Sequence, residues 1–195
     1  GIDTWEVVRA AATKPFGFSD NFTYSRYLMT LVSIHAMGCV DVLPEIRRVL
    51  AFLRRTQDKS GGFRETPIRL IDHAEAGVGI GDGSDNIADL LYCNNFLLCA
   101  LSTLRSLPDK RVVRLAGAAH ERLLRFVLSS QITEPEKSLR GGWMRAFDMD
   151  GSEYHGLNKD KDWGAYCIMA GWMTGLMPLA LLESLGAPPV FAVRD

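Results

Sequence analysis

The sequence predicts an all-α chain built of helical hairpins, and three observations carry that expectation. A phrase occurs twice, in which a long apolar stretch ends in Gln and a Gly-Gly-aromatic turn follows. The first copy runs through residues 49–57 to Gln57 and then Gly61-Gly62-Phe63. The second runs through residues 123–131 to Gln131 and, after a polar insert, Gly141-Gly142-Trp143. A repeated helix-plus-turn unit indicates stacked hairpins, and such arrays carry function in their turns. The long segments also alternate between two kinds, apolar nearly all round or apolar along one stripe with arginines opposite. Finally, no stretch shows convincing strand alternation.

In chain order, residues 3–13 read as a short helix capped by Asp3 or Thr4, with Trp5, Val8 and Ala12 on one face. Lys14-Pro15-Phe16-Gly17-Phe18 breaks it. Residues 23–38 predict a buried helix closed by Gly38. Residues 43–57 predict an outer helix. Pro44 sits in its first turn, Ile46, Val49, Leu50 and Leu53 form an inward stripe, and Arg47, Arg48, Arg54 and Arg55 face water. A Gly-rich polar stretch, residues 58–85, leads to a second buried helix over 85–106 with Ser84 or Asp85 as cap. Pro108-Asp109 turns the chain into a second arginine-bearing outer helix over 110–130. Residues 131–161 are the longest polar segment, and 163–185 predict a third buried helix. Gly171, Gly175 and Pro178 bend that helix or let it pack closely, and Gly186 with Pro188-Pro189 ends it.

With 195 residues the chain fits one domain or a fragment of a larger barrel, with site-bearing loops at 58–85 and 131–162. Its 47% hydrophobic and 23% charged composition is that of a globular protein. A net charge of −1 argues against a general nucleic-acid or anionic-membrane binder. There is no apolar run of membrane-spanning length. The start at Gly1-Ile2-Asp3 leaves localisation open between the cytoplasm and export with a signal removed. Cys39, Cys93, Cys99 and Cys167 lie in apolar stretches without C-x-x-C spacing, so they read as buried thiols and not as a zinc site.

This layout resembles the α/α-toroid group, in which inner helices line a funnel, outer helices wrap them and loops at one end form the site. The Gln…Gly-Gly-aromatic phrase is similar to the QW-type element of terpenoid cyclases. Related turns occur in protein prenyltransferase β-subunits and in α/α-barrel polysaccharide lyases and glycoside hydrolases. The layout covers residues 23–185, whereas the motif is confined to 49–63 and 123–143. Only two and a half hairpins can be counted, so the resemblance implies an incomplete ring. A neighbouring domain or a homo-oligomer would complete it. Squalene-cyclase relatives carry Asp-x-Asp-Asp, whereas Asp148-Met149-Asp150-Gly151 lacks the third acid. Prenyltransferases carry an Asp/Cys/His zinc site, whereas His120 and His155 stand away from any cysteine in sequence. The Trp, Tyr and acid content of the last loop looks closer to the carbohydrate-active members.

That last loop, residues 141–163, concentrates the chemistry. Asp148, Asp150, Glu153 and Asp162, with His155, are the candidate catalytic groups, because glycoside cleavage needs a carboxylate pair and a lyase needs a base. Trp143, Tyr154 and Trp163 would stack on a pyranose face, and Arg145 would hold a uronate carboxylate. The plainer reading is a solvated loop with Asp162 capping the helix that follows. The same acids allow a calcium reading through Asp148-x-Asp150-Gly151 and Asn158-x-Asp160-x-Asp162, although the EF-hand order fails. No cofactor is otherwise implied.

The Gly-rich residues 72–86 lack the strand and the Lys-Ser/Thr of a phosphate loop. Asp82, Asp85 and Asn86 rank second as site residues, as substrate ligands at a funnel mouth, and His73 with Glu75 third. Tyr92-Cys93-Asn94-Asn95 places two amides in an apolar segment, where they bind substrate or satisfy a turn. His35 reads as a core histidine, and Cys167 lacks the order of a nucleophile. Three functions follow. The first is a carbohydrate-active domain, hydrolase or lyase, with a poly- or oligosaccharide as partner. The second is an isoprenoid-handling toroid lined by Tyr24, Tyr27, Phe96, Trp172, Met173 and Met177. The third is a non-catalytic helical repeat module.

Overall fold

The computed structural model describes residues 21–38, 40–64, 87–133, 140–154 and 176–188. The expected helix over 3–13 and the first part of that over 163–185 lie outside the described residues.

Five helices dominate the described residues: α1 (Asn21–Ala36), α2 (Leu43–Thr56), α3 (Asn95–Leu104), α4 (Lys110–Ser129) and α5 (Leu176–Ser184). They pack in two layers. α3 lies against α1 on one side and α5 on the other, while α2 lies against α4. The hairpin partners α1 with α2 and α3 with α4 join the layers. α3 is the hub, and nearly all of its residues are buried.

The two outer helices show why the sequence folds this way. On α2, Ile46, Val49, Leu50 and Leu53 are buried while Arg48, Arg54 and Arg55 face solvent. Each such aliphatic side chain contributes about 1.5–3 kcal/mol on burial. On α4, Val112, Ala116, Ala119, Leu123, Phe126 and Val127 form the inward stripe. Asp109 starts that helix, accepting the backbone N–H groups of Arg111 at 3.0 Å and Val112 at 2.8 Å. The same carboxylate pairs with Arg47 of α2, which ties the two outer helices together. The Val112 hydrogen bond and then Arg47 hold the Asp109 carboxyl below its ordinary range.

Three expectations are corrected. A small antiparallel sheet exists, formed by β1 (Ile87–Asp89), β2 (Ala146–Asp148) and β3 (Glu153–Tyr154) in that order. Ile87 lies opposite Asp148 and Phe147 opposite Tyr154. The second buried helix therefore starts later than residue 85. Ile87–Asp89 pairs with β2, a π-type turn follows over Leu90–Asn94, and regular helix begins at Asn95. The reason is local. Asp89 accepts the Leu91 N–H at 2.9 Å, and Leu90 donates its own N–H to the Arg145 carbonyl at 2.7 Å. These bonds hold the segment against the last loop. His35 is also only half-buried in the last turn of α1, not in the core. Among the described residues no helix is long and apolar enough to cross a membrane.

Candidate functional site at the turn end

Both Gln turns fall at one end of the stack, where α2 and α4 finish and α1 and α3 begin. In the first, Gln57 donates from Nε2 to the Gly61 carbonyl at 2.7 Å and to the Ala119 carbonyl of α4 at 3.0 Å. In the second, Gln131 donates from Nε2 to the Gly141 carbonyl at 2.8 Å. The first glycine of each pair takes positive φ, +100° at Gly61 and +86° at Gly141. The repeated phrase is thus one turn used twice.

The aromatic residue of each copy points inward. Phe63 is fully buried. Its N–H donates to Asn94 Oδ1 at 2.9 Å, and its carbonyl accepts Asn94 Nδ2 at 2.9 Å. Asn94 also donates to the Asp89 carbonyl at 2.9 Å, so its amide is satisfied by the turn, one of the two readings the sequence left open. Asn95 accepts the Phe96 N–H at 2.7 Å. Trp143 is only 7% exposed and donates its indole N–H to the Val127 carbonyl at 2.7 Å, so it offers no open face to a sugar ring.

The other described site residues are also held by the loop itself. Arg145 donates from Nε to Asp89 Oδ2 at 3.0 Å, and Asp89 is 1% exposed, so this pair is buried. Asp148 Oδ1 accepts the N–H groups of Asp150 at 2.9 Å and Gly151 at 3.0 Å. Asp150 meets Arg64 at 2.9 Å, and Arg64 also meets Asp58 at 3.3 Å, so one buried guanidinium joins the first turn to the last loop. Tyr154 packs edge-on against Phe147 at 5.3 Å and donates its hydroxyl to the Ser130 carbonyl at 2.6 Å. Burial pushes its phenol up to about 12. Burial also opposes the charge of Asp58, but hydrogen bonds from Ser60 and the charge of Arg64 prevail and bring its carboxyl below the ordinary range. That suits an ion-pair anchor and not a general acid. Glu153 lies on β3 opposite Asp148. His155, Asp162, Trp163, Asp85 and Asn86 lie outside the described residues.

The structure adds residues that sequence reasoning passed over. On the face of α1 beside α3, Arg26, Met29, Thr30 and Ser33 line an open hollow of about 360 Å³ with Phe96. The Arg26 guanidinium lies 5.2 Å from the Phe96 ring centre. Thr30 and Ser33 donate their hydroxyls to the Arg26 and Met29 carbonyls, at 3.0 Å each, leaving oxygen lone pairs as acceptors. The signal was available, because Arg26, Thr30 and Ser33 recur at helical spacing along an otherwise apolar segment. Tyr24, in contrast, stacks on Phe52 of α2 at 4.2 Å, and Met177 is buried, so neither lines this hollow.

A second polar cluster lies toward the short-turn end. His120 is buried, with Nδ1 3.3 Å from Arg105 Nη1 and Nε2 2.8 Å from Ser184 Oγ. Ser184 donates to the Ala180 carbonyl at 2.7 Å, so the consistent tautomer carries its proton on Nε2 and accepts from Arg105 at Nδ1. Burial, and then the charge of Arg105, lowers the imidazole to about 4. An arginine at Nδ1 is the reverse of the carboxylate that supports a catalytic His, so this is no nucleophile-activating pair. Cys93 and Cys99 are buried thiols. Burial, and then Glu183, pushes Cys99 up to about 12, which makes it inert as a nucleophile. Cys39 and Cys167 lie outside the described residues. Among the described residues no group of three or more His, Cys, Asp or Glu side chains could hold a metal ion. Asn158, Asp160 and Asp162 of the calcium reading lie outside them.

No family model matches the chain, and no curated protein or solved structure matches it.

Proposed function

We propose that the chain is an arc of an α/α-toroid that binds and processes a poly- or oligosaccharide at its turn end. The observation that carries this reading is the hollow between α1 and α3. It combines an aromatic ring, a guanidinium and two hydroxyl oxygens on the face turned away from the outer helices. Sugars are recognised by that mixture, with ring faces on aromatic carbon and hydroxyls on fixed polar atoms. An isoprenoid would instead favour an unbroken apolar lining. The chemistry is assigned to the last loop, with Asp148, Asp150, Glu153, His155 and Asp162 as its candidate acids and bases.

A glycan panel tests the reading. Neutral and uronic-acid oligosaccharides, with and without calcium, are followed by reducing-end release, the ultraviolet signal of unsaturated uronate, and thermal shift. Turnover or stabilisation that weakens in Phe96→Ala and Arg26→Ala supports the proposal. For catalysis, neutralising the acids singly must abolish turnover for at least two of them. Silence throughout overturns it.

A second reading is favoured by one observation. Leu179 and Leu182 are exposed on α5 and Leu185, just past its end, by 86%, on the last helix of the buried layer among the described residues. A face of this kind suits a neighbour that extends the helical array. A molecular mass that stays monomeric at all concentrations would remove self-association from that reading.

A further inference from the structure

The outer layer is far more basic than the chain. α2 carries four arginines against Glu45, and α4 carries five Lys and Arg residues against Glu121. That is nine cations against two acids, a formal surplus of seven in a chain whose net charge is −1. The two helices pack side by side, so the surplus forms one face. At its turn end the face holds a groove of about 360 Å³ lined by Lys59, Ser60, Arg122, Arg125, Phe126 and Ser129.

The groove exists because the glycine pair has no side chains. A Cβ on Gly62 would stand 2.6 Å from the Phe126 ring, and one on Gly61 would stand 2.3 Å from the Arg122 carbonyl oxygen. The turn can therefore lie on α4 and bring Lys59 beside the arginines. Arg122 is held in place, donating from Nη2 to the Asp58 carbonyl at 2.5 Å. Among the described residues Arg125 pairs with Glu121 alone, in a long, solvent-exposed contact at 3.7 Å. Ser129 donates to the Phe126 carbonyl at 2.8 Å, which leaves its oxygen as an acceptor toward the groove.

We propose that this groove binds an acidic sugar residue of a polysaccharide, with the carboxylate or sulfate between Lys59, Arg122 and Arg125 and the ring hydroxyls on Ser60 and Ser129. The basic face of α2 and α4 then carries the flanking residues of the same chain. The proposal rests on the carbohydrate reading above and narrows it to an oxyanion-bearing glycan. It also moves the acid-binding role from Arg145, which is engaged by Asp89, to this cluster. Other polyanions fit less well. Phe126 is buried beneath the groove and gives no platform for base stacking. The apolar stripes of α2 and α4 both face inward, and among the described residues Leu128 is the single large apolar side chain exposed on either helix, too little to insert into lipid.

The test compares wild type with Lys59→Glu/Arg125→Glu. Binding is measured at low and physiological salt to a galacturonate oligomer, a sulfated oligosaccharide, a neutral malto-oligosaccharide, a short DNA duplex and anionic vesicles. The expected result is salt-sensitive binding of an acidic oligosaccharide that weakens at least about tenfold in the double variant, the loss of one charge-assisted hydrogen bond. Neutral-glycan binding should be unchanged. An unaltered melting temperature excludes misfolding, and the single variants Lys59→Gln and Arg125→Gln serve if the double variant melts early. If neutral glycans bind and acidic ones bind no better, or both variants bind acidic glycans like wild type, the groove assignment fails while the carbohydrate reading stands. If DNA or vesicles bind in a variant-sensitive way and no glycan does, both fail.

Discussion

Gly61 and Gly141 occupy the same place in two copies of one turn, yet alanine should cost them different amounts. Both have positive φ, +100° and +86°, where an L side chain loses about 1–2 kcal/mol. They differ in what a Cβ would meet. At Gly61 it would stand 2.3 Å from the Arg122 carbonyl oxygen and 2.8 Å from its carbon, both rigid helix backbone. At Gly141 the nearest atom is Gln131 Nε2 at 3.9 Å, an ordinary contact. Overpacking against atoms that cannot yield adds about 1–3 kcal/mol. Gly61→Ala should therefore destabilise by about 2–5 kcal/mol and Gly141→Ala by about 1–2 kcal/mol. In a domain of this size the first loss corresponds to a fall in Tm of roughly 4–20 °C. Urea titration of both variants, with the m value checked for constancy, measures the difference directly. Equal losses, or a loss at Gly61 below that at Gly141, would refute the claim that the turn is seated on α4.

Three other outcomes follow from the same geometry. Asn94→Ala should cost about 2–4 kcal/mol in chemical denaturation, because the N–H and carbonyl of buried Phe63 both lose their partner. Arg145→Met alone should cost about 3–5 kcal/mol by taking the guanidinium from the buried Asp89 carboxylate, whereas Arg145→Met with Asp89→Asn should recover much of that loss in a double-mutant cycle. His120 sits at about 4 in the fold, below its unfolded value near 6.5, so the unfolded chain binds the extra proton between those values. Its contribution is complete above pH about 6.5 and should disappear as the pH falls toward 4, by about 3 kcal/mol. His120→Gln should flatten that part of a stability-against-pH curve, and an unchanged curve would exclude the assignment.

The helices were legible because their periodicity was strong. The inward stripe of α2 and Arg48, Arg54 and Arg55 opposite were readable residue by residue, and so was the buried character of α3, whereas Arg47, expected to face water, turns to Asp109. The sheet was not, because Ile87–Asp89 is buried throughout and shows no alternation. A short, fully buried strand cannot be told from helix by pattern alone. Gln57 and Gln131 were read as marks of a repeat, but their bonds to turn and helix carbonyls are tertiary facts. The site residues were harder for a physical reason. Trp143, Arg145, Asp148 and Tyr154 have the composition of a sugar site, yet each also supplies the hydrogen bonds that a long loop needs to fold on itself. Composition does not separate those two uses. The polar row on α1 was within reach but was masked by the hydrophobic residues around it.

The bond from Gln57 to the Ala119 carbonyl has a consequence for how the molecule opens. It crosses from the turn of one hairpin to the outer helix of the next, and the contacts of Gly61 and Gly62 with α4 run the same way. The first turn is therefore closed by its own bonds, from Gln57 to the Gly61 carbonyl and from Asp58 to the Gly62 carbonyl, and is seated on the second hairpin. Fraying of α4 would unseat residues 57–62 even with α2 still wound, leaving Phe63 held by Asn94. Amide protons in that turn should then exchange at the rate of α4, which makes two adjacent repeats one cooperative unit.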